Sequence, residues 1–218
     1  MGKGYVGGLR ATDMRAFFAV TLPTDLAEPL AEVQSVFDDA AGLTAVDPEQ
    51  AHVTLKFLGE VPRTASGGTR NVDLDDLRAA GARAVDDADI ESFTCSVAGL
   101  GVFPSLEYIS VVWAGIEAGG IELTRLHESL EAETTALGFD PEDHAFTPHV
   151  TLARVNDARG KEQIQRAVRE RHPEVGSFTV EAVRLVESTL TPEGPVYETV
   201  EMFELQSTFD DRIGRRNE

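Results

Sequence analysis

The tetrapeptide His-Val-Thr-Leu occurs twice in this chain, at residues 52–55 and 149–152, 97 positions apart. Each copy opens a run that alternates polar with apolar residues, and a period of two is that of a strand resting on a core. Alternation puts His52 and Thr54 on one face and Val53 and Leu55 on the other; His149 and Thr151 are set likewise against Val150 and Leu152. The apolar faces go to the core, so the polar faces meet water or each other. A chain that repeats the same strand with the same parity is expected to consist of two similar halves about a pseudo-twofold axis, with both polar faces lining one cleft.

The flanking segments supply the rest of such a fold. Residues 15–22 are β-prone, and Pro23-Thr24-Asp25 opens a helical stretch carrying Leu26, Leu30, Val33 and Phe37 at helical spacing. Further strands are predicted over 51–58, stopping at Gly59, over 93–103 and 108–116, over 149–155, and over 178–186 and 197–205 about the turn Thr191-Pro192-Glu193-Gly194. Helices are predicted over 74–87, over 121–137 ended by Gly138, and over 160–171, with a polar insertion over 62–71. This order gives an α+β class. The expected architecture is bilobal, with two pseudo-symmetric halves of antiparallel sheet around a central cleft and a division near residues 91–106. Residues 1–13 read as a disordered extension, 14–206 as one bilobal domain and 207–218 as a flexible tail.

Composition sets the surroundings. The chain has 38 Asp and Glu against 19 Lys and Arg, a formal net charge of −19 at pH 7, and its lysines are Lys3, Lys56 and Lys161. That excess repels itself in dilute buffer, and molar salt, with a Debye length of about 3 Å, relieves it. A halophilic protein of a salt-filled cytoplasm is the expectation. An extended basic surface for long nucleic acid is excluded, because counterion release needs clustered cations; the partner must be an RNA end or a small nucleotide. No apolar run approaches the roughly 18 residues of a membrane span, and the start of the chain lacks a secretory segment. Cys95 is a lone cysteine and cannot form an internal disulfide; its context FTCSV makes it a buried, inert thiol. The expected state is a cytoplasmic monomer with no membrane contact.

Two histidines and two hydroxyls at one cleft suit phosphoester displacement by a general base and a general acid. Histidine is the side chain whose ordinary pKa lets one copy be neutral and the other protonated near neutral pH. Threonine hydroxyls can donate to nonbridging phosphate oxygens and hold the attack in line. A strained five-membered 2′,3′-cyclic phosphate requires nothing more. One copy of the motif would be read as ordinary strand residues; the duplication points to a site.

HVTLKFLGE (52–60) and FTPHVTLARV (146–155) resemble the two His-x-Thr-x motifs of the two-histidine (2H) phosphoesterases, in particular the LigT-like 2′-5′ RNA ligase and RNA 2′,3′-cyclic phosphodiesterase group. The likeness extends to MRAFFAVTLP, GVFPSLE and VVWAGI and covers most of residues 14–205. The resemblance implies a bilobal α+β fold and hydrolysis of cyclic phosphate to a 2′-phosphate, with 2′-5′ RNA ligation in reverse. It also implies His52 as proton donor to the departing O3′, His149 as proton acceptor from water, and Thr54 and Thr151 on the phosphate, with no metal and no cofactor. The residues themselves leave the acid and base interchangeable, because the roles exchange in the reverse direction.

Other residues are weighed by parity. Lys56 shares the parity of His52 and is a further candidate for phosphate, a solvent-facing strand lysine being the alternative. Arg154 has the opposite parity to His149 and is expected to point away from the cleft unless a bulge brings it in. His127, His144 and His172 are expected at the surface. Zinc or manganese is a further possibility for two histidines amid carboxylates, but no His-x-x-x-His or Glu-rich ligand spacing accompanies them and threonine is a poor zinc ligand. The same cleft would also serve a module that captures a nucleotide phosphate without turnover, or a phosphodiesterase for ADP-ribose-type cyclic phosphates.

Overall fold

A computed structural model describes residues 13–62, 72–192 and 194–207. It contains β1 (Asp13–Thr21), α1 (Ala27–Ser35), β2 (Leu43–Ala45), β3 (His52–Pro62), α2 (Leu74–Ala88), β4 (Phe93–Pro104), β5 (Ile109–Ala118), α3 (Gly120–Ala136), β6 (His149–Val155), α4 (Lys161–Glu170), β7 (Glu174–Val180), β8 (Ala182–Thr191) and β9 (Gly194–Glu204). The expected extension, tail and insertion lie outside the described residues, apart from a few flanking positions.

Capping residues set the helix that follows the insertion. The Asp73 side chain accepts from the Asp75 and Asp76 N–H groups while Asp76 accepts from the Asp73 N–H, a reciprocal cap that fixes the start of α2. The helix stops where Asp89 turns left-handed at φ 48°.

The strands form one antiparallel path, β7-β4-β5-β6-β3-β1-β8-β9, with the short β2 beside β6. It divides into two four-stranded wings, β7-β4-β5-β6 and β3-β1-β8-β9, each the mirror order of the other, so that β3 corresponds to β6 and β1 to β5. The wings join where Val53 pairs with Val150. Helices cover one face, where Leu30, Leu77, Leu123, Leu126, Leu130 and Ile164 close over Val53, Leu55, Val150 and Leu152, all at most 1% exposed. Each such side chain contributes roughly 1.5–3 kcal/mol on burial. Cys95 is fully buried in the same core, and burial, with Glu122 adding to it, pushes its thiol pKa up to about 12. No helix among the described residues is long and apolar enough to cross a membrane.

The α+β class and the two lobes about a cleft are as expected, but the lobes are not the two halves of the sequence. α1, early in the chain, packs on β6 and β7, whereas α3 packs on β3. The chain enters the second wing at β4 and returns to the first at β8, so the first wing is completed by strands from both ends of the sequence. The strand expected over 178–186 is two strands: β7 pairs with β4 and β8 with β1, the chain passing between wings at Glu181. The apolar parity switches there, from Phe178 and Val180 to Val183 and Leu185, a local break that a single strand over 178–186 passes over. β2 has three residues, too few for a period, and β3 continues through Gly59, which takes φ 70°.

Candidate active site

The face of the sheet without helices carries the site. His52 and Thr54 point to it from β3, His149 and Thr151 from β6, and antiparallel continuation of the Val53–Val150 register sets His52 toward Thr151 and Thr54 toward His149. The duplicated tetrapeptide is therefore brought together on one surface.

Each strand then bulges at an equivalent residue. In β3 the pairing with β1 steps from Thr54 to Lys56, leaving Leu55 extra; in β6 the pairing with β5 steps from Thr151 to Ala153, leaving Leu152 extra. Leu55 and Lys56 both turn inward, at 1% and 2% exposure, as do Leu152 and Ala153, at 0% and 3%. The next residues, Phe57 and Arg154, return to the open face.

These bulges correct two expectations. Lys56 is not on the phosphate side. Its Nζ lies 2.6 Å from Glu131 Oε2 and donates to the Asp140 carbonyl at 3.0 Å, inside the core. Burial works to raise the Glu131 carboxyl, but the Lys56 ammonium and the Glu142 N–H outweigh it and hold its pKa below the usual value. Arg154, expected to face away, is on the site side, close enough to add to the lowering that burial imposes on His52 and to oppose the rise that burial gives the Tyr197 hydroxyl. The buried position of His127 is a third correction. It is 8% exposed, with Nδ1 2.7 Å from the Leu55 carbonyl and its ring stacked 4.2 Å from Phe146. His144 and His172 are exposed as expected, the latter paired with Glu117 at 2.7 Å.

Both site histidines are oriented alike. His52 Nδ1 lies 2.8 Å from the Gln50 carbonyl and His149 Nδ1 2.7 Å from the Thr147 carbonyl. A carbonyl only accepts, so Nδ1 carries the hydrogen in each ring and Nε2 is left for chemistry. Burial pushes both imidazoles below their ordinary pKa, against the raising effect of those carbonyls; for His52 the neighbouring His149 and Arg154 add to the lowering.

Aromatic rings flank each histidine. His52 sits 5.0 Å from both Phe17 and Tyr197, and His149 4.9 Å from Phe103 and 6.0 Å from Trp113. Trp113 lies across Gly101 of β4, where any Cβ would overlap the indole. Parity did not single out these rings, although Phe17, Phe103 and Trp113 stand within the RAFFAVTL, GVFP and VVWAGI runs and Tyr197 within the last strand; only cross-strand register places them beside the histidines. Phe17 is buried, whereas Tyr197, Phe103 and Trp113 are half-buried, and such partly open rings suit nucleobases. Among the described residues, no three His, Cys, Asp or Glu side chains are grouped as a metal cage.

An open antiparallel sheet with paired histidines and threonines about a pseudo-twofold seam defines a two-histidine phosphoesterase site. The chain belongs to the 2′-5′ RNA ligase superfamily, whose model matches residues 22–191. It is 37% identical over 194 residues to the RNA 2′,3′-cyclic phosphodiesterase of Methanothermobacter thermautotrophicus, covering 88% of this chain and 99% of that protein. The enzyme of the same name from Aeropyrum pernix is 36% identical over 82% of this chain and 94% of its own length. Among solved structures, a Thermus thermophilus protein superposes with a TM-score of 0.69 at 34% identity, over 89% of this chain and all of that one. E. coli LigT complexed with 3′-AMP gives a TM-score of 0.67 at 25% identity, over 88% of this chain and 98% of LigT.

Proposed function

We propose that this chain hydrolyses the 2′,3′-cyclic phosphate at an RNA end, or of a nucleotide, to a 2′-phosphate. The observation that carries this reading is the convergence of His52, Thr54, His149 and Thr151 across the Val53–Val150 seam. Relatives named for this activity over nearly their whole length support it, as does a LigT neighbour that holds a 3′-nucleotide.

His149 Nε2 takes a proton from water as the water oxygen attacks phosphorus; the P–O3′ bond breaks, and His52 Nε2–H delivers a proton to O3′. Thr54 and Thr151 donate to the nonbridging oxygens, and Arg154 stabilises their charge. With a ribose 5′-hydroxyl in place of water, the same groups join RNA ends: the hydroxyl oxygen attacks phosphorus as His149 takes its proton, the P–O3′ bond breaks, and a 2′-5′ bond is left. No metal is required. Residues 14–206 act as one catalytic unit and as a monomer in the cytoplasm, and the net charge of −19 suits a salt-rich one.

Phosphorus NMR of the product formed with EDTA present tests the reading. A 2′-phosphate is expected; a 3′-phosphate, or turnover abolished by EDTA, overturns it.

A further inference from the structure

The open face of the β3-β1-β8-β9 wing continues past His52. Beside that histidine is a hollow of about 350 Å³ lined by Phe17, Tyr197, Thr199 and Arg184, with Glu49 the one carboxylate residue on its wall. A second hollow of about 410 Å³ shares Thr21, Leu22, Pro23 and Arg184 with the first and is bordered farther out by Glu181 and Glu204. Arg184 stands where the two meet.

Register fixes how far that is from the chemistry. Arg184 pairs with Ala19 on β1, and Ala19 pairs with Thr54 on β3. The backbone of Arg184 is thus two strands from Thr54, about 10 Å at the usual strand spacing. An arginine side chain and one ribose together bridge such a gap.

The guanidinium is uncommitted. Its Nη1 has a limiting 3.5 Å hydrogen bond to Thr199 Oγ1, and it makes no ion pair among the described residues. Arg78, Arg83 and Arg159, by contrast, are each paired with carboxylates. In a chain of net charge −19, a half-buried arginine left without a carboxylate at the join of two hollows is a site for an anion supplied from outside.

We propose that Arg184 binds the 5′-phosphate of the nucleotide that carries the cyclic phosphate, so that the preferred substrate is an RNA 3′ end read one phosphate deep rather than a free nucleoside cyclic phosphate. This rests on the reaction proposed above. There His52 faces the departing O3′, which puts the terminal ribose on the His52 wing, its base against the half-buried Tyr197 and its 5′ side along the hollow. Beyond Arg184 the carboxylates of Glu181 and Glu204 repel a further phosphate, so recognition stops there.

The test compares kcat/KM, at fixed ionic strength, for adenosine 2′,3′-cyclic phosphate, the same compound with a 5′-phosphate, and a di- and a trinucleotide ending in the cyclic phosphate. Adding the 5′-phosphate or the upstream nucleotide should raise kcat/KM by roughly ten- to a hundredfold, the range of a charge-assisted hydrogen bond. Going from di- to trinucleotide should add little. In Arg184→Gln the ratio of 5′-phosphorylated to plain substrate should collapse toward one, and Arg184→Lys should restore part of it. A ratio near one in the unaltered protein, or one unchanged in Arg184→Gln, overturns the proposal. Calorimetric binding of adenosine 2′-phosphate against adenosine 2′,5′-bisphosphate reads the same ratio without turnover. Absence of turnover with that binding ratio intact would overturn the reaction and leave the Arg184 site standing.

Discussion

Val53 on β3 and Val150 on β6 form the pair through which the two wings of the sheet are joined, and they are the same residue of the same tetrapeptide, 97 positions apart. An antiparallel pair of equivalent residues puts the pseudo-twofold axis between them. The histidine before each valine and the threonine after it must then surround that axis on the open face. The site is the local symmetry of one residue pair.

If His52 and His149 serve one step as acid and base, His52→Ala and His149→Ala should each lower kcat by about 10²- to 10⁴-fold, and the double variant by less than the product. Thr54→Val and Thr151→Val keep strand shape but remove a donor, so they should lower kcat with little change in thermal melting. A folded histidine variant with near-normal kcat would refute the paired assignment.

The pH profile follows from burial. Both imidazoles are lowered from 6.5, so the singly protonated pair of the free enzyme is most populated below that value. kcat/KM should peak below pH 6.5, falling on the acid side as the base gains a proton and on the alkaline side as the acid loses its own. A bound phosphate anion favours imidazolium, so the alkaline limb of kcat should lie higher. A kcat/KM optimum above pH 6.5 would contradict the assignment.

Lys56 and Arg154 should separate stability from catalysis. Lys56→Met leaves Glu131 without its partner and should cost about 3 kcal/mol in urea unfolding, at the low end for broken buried pairs because Glu131 keeps 21% exposure. Arg154→Gln should change stability by no more than about 0.5 kcal/mol while lowering kcat/KM roughly tenfold or more. The opposite pattern would return Lys56 to the phosphate.

Gly101→Ala places a methyl where the Trp113 indole lies, and the ring must move off its seat beside His149. Activity should fall and tryptophan fluorescence should shift. This is the chain's one tryptophan, so the signal is unambiguous, and an unchanged spectrum with full activity would show that the wall is dispensable.

Self-repulsion at net charge −19 predicts that the melting temperature rises as KCl approaches molar strength. A maximum in salt-free buffer would remove the case for a salt-rich setting.

Sequence alone determined the duplicated strand, the parity of His52, Thr54, His149 and Thr151, most helices, and the buried Cys95, because a two-residue or 3.6-residue period is a local property that one stretch of chain carries by itself. Tertiary structure decided the rest. Whether Lys56 or Arg154 faces the site turns on a single extra residue, Leu55 or Leu152, and a bulge is defined only against the partner strand. The rings beside the histidines come from β1, β4, β5 and β9, and the residues on either side of Glu181 pair in different wings. Those facts belong to pairings between distant segments, which no single strand encodes.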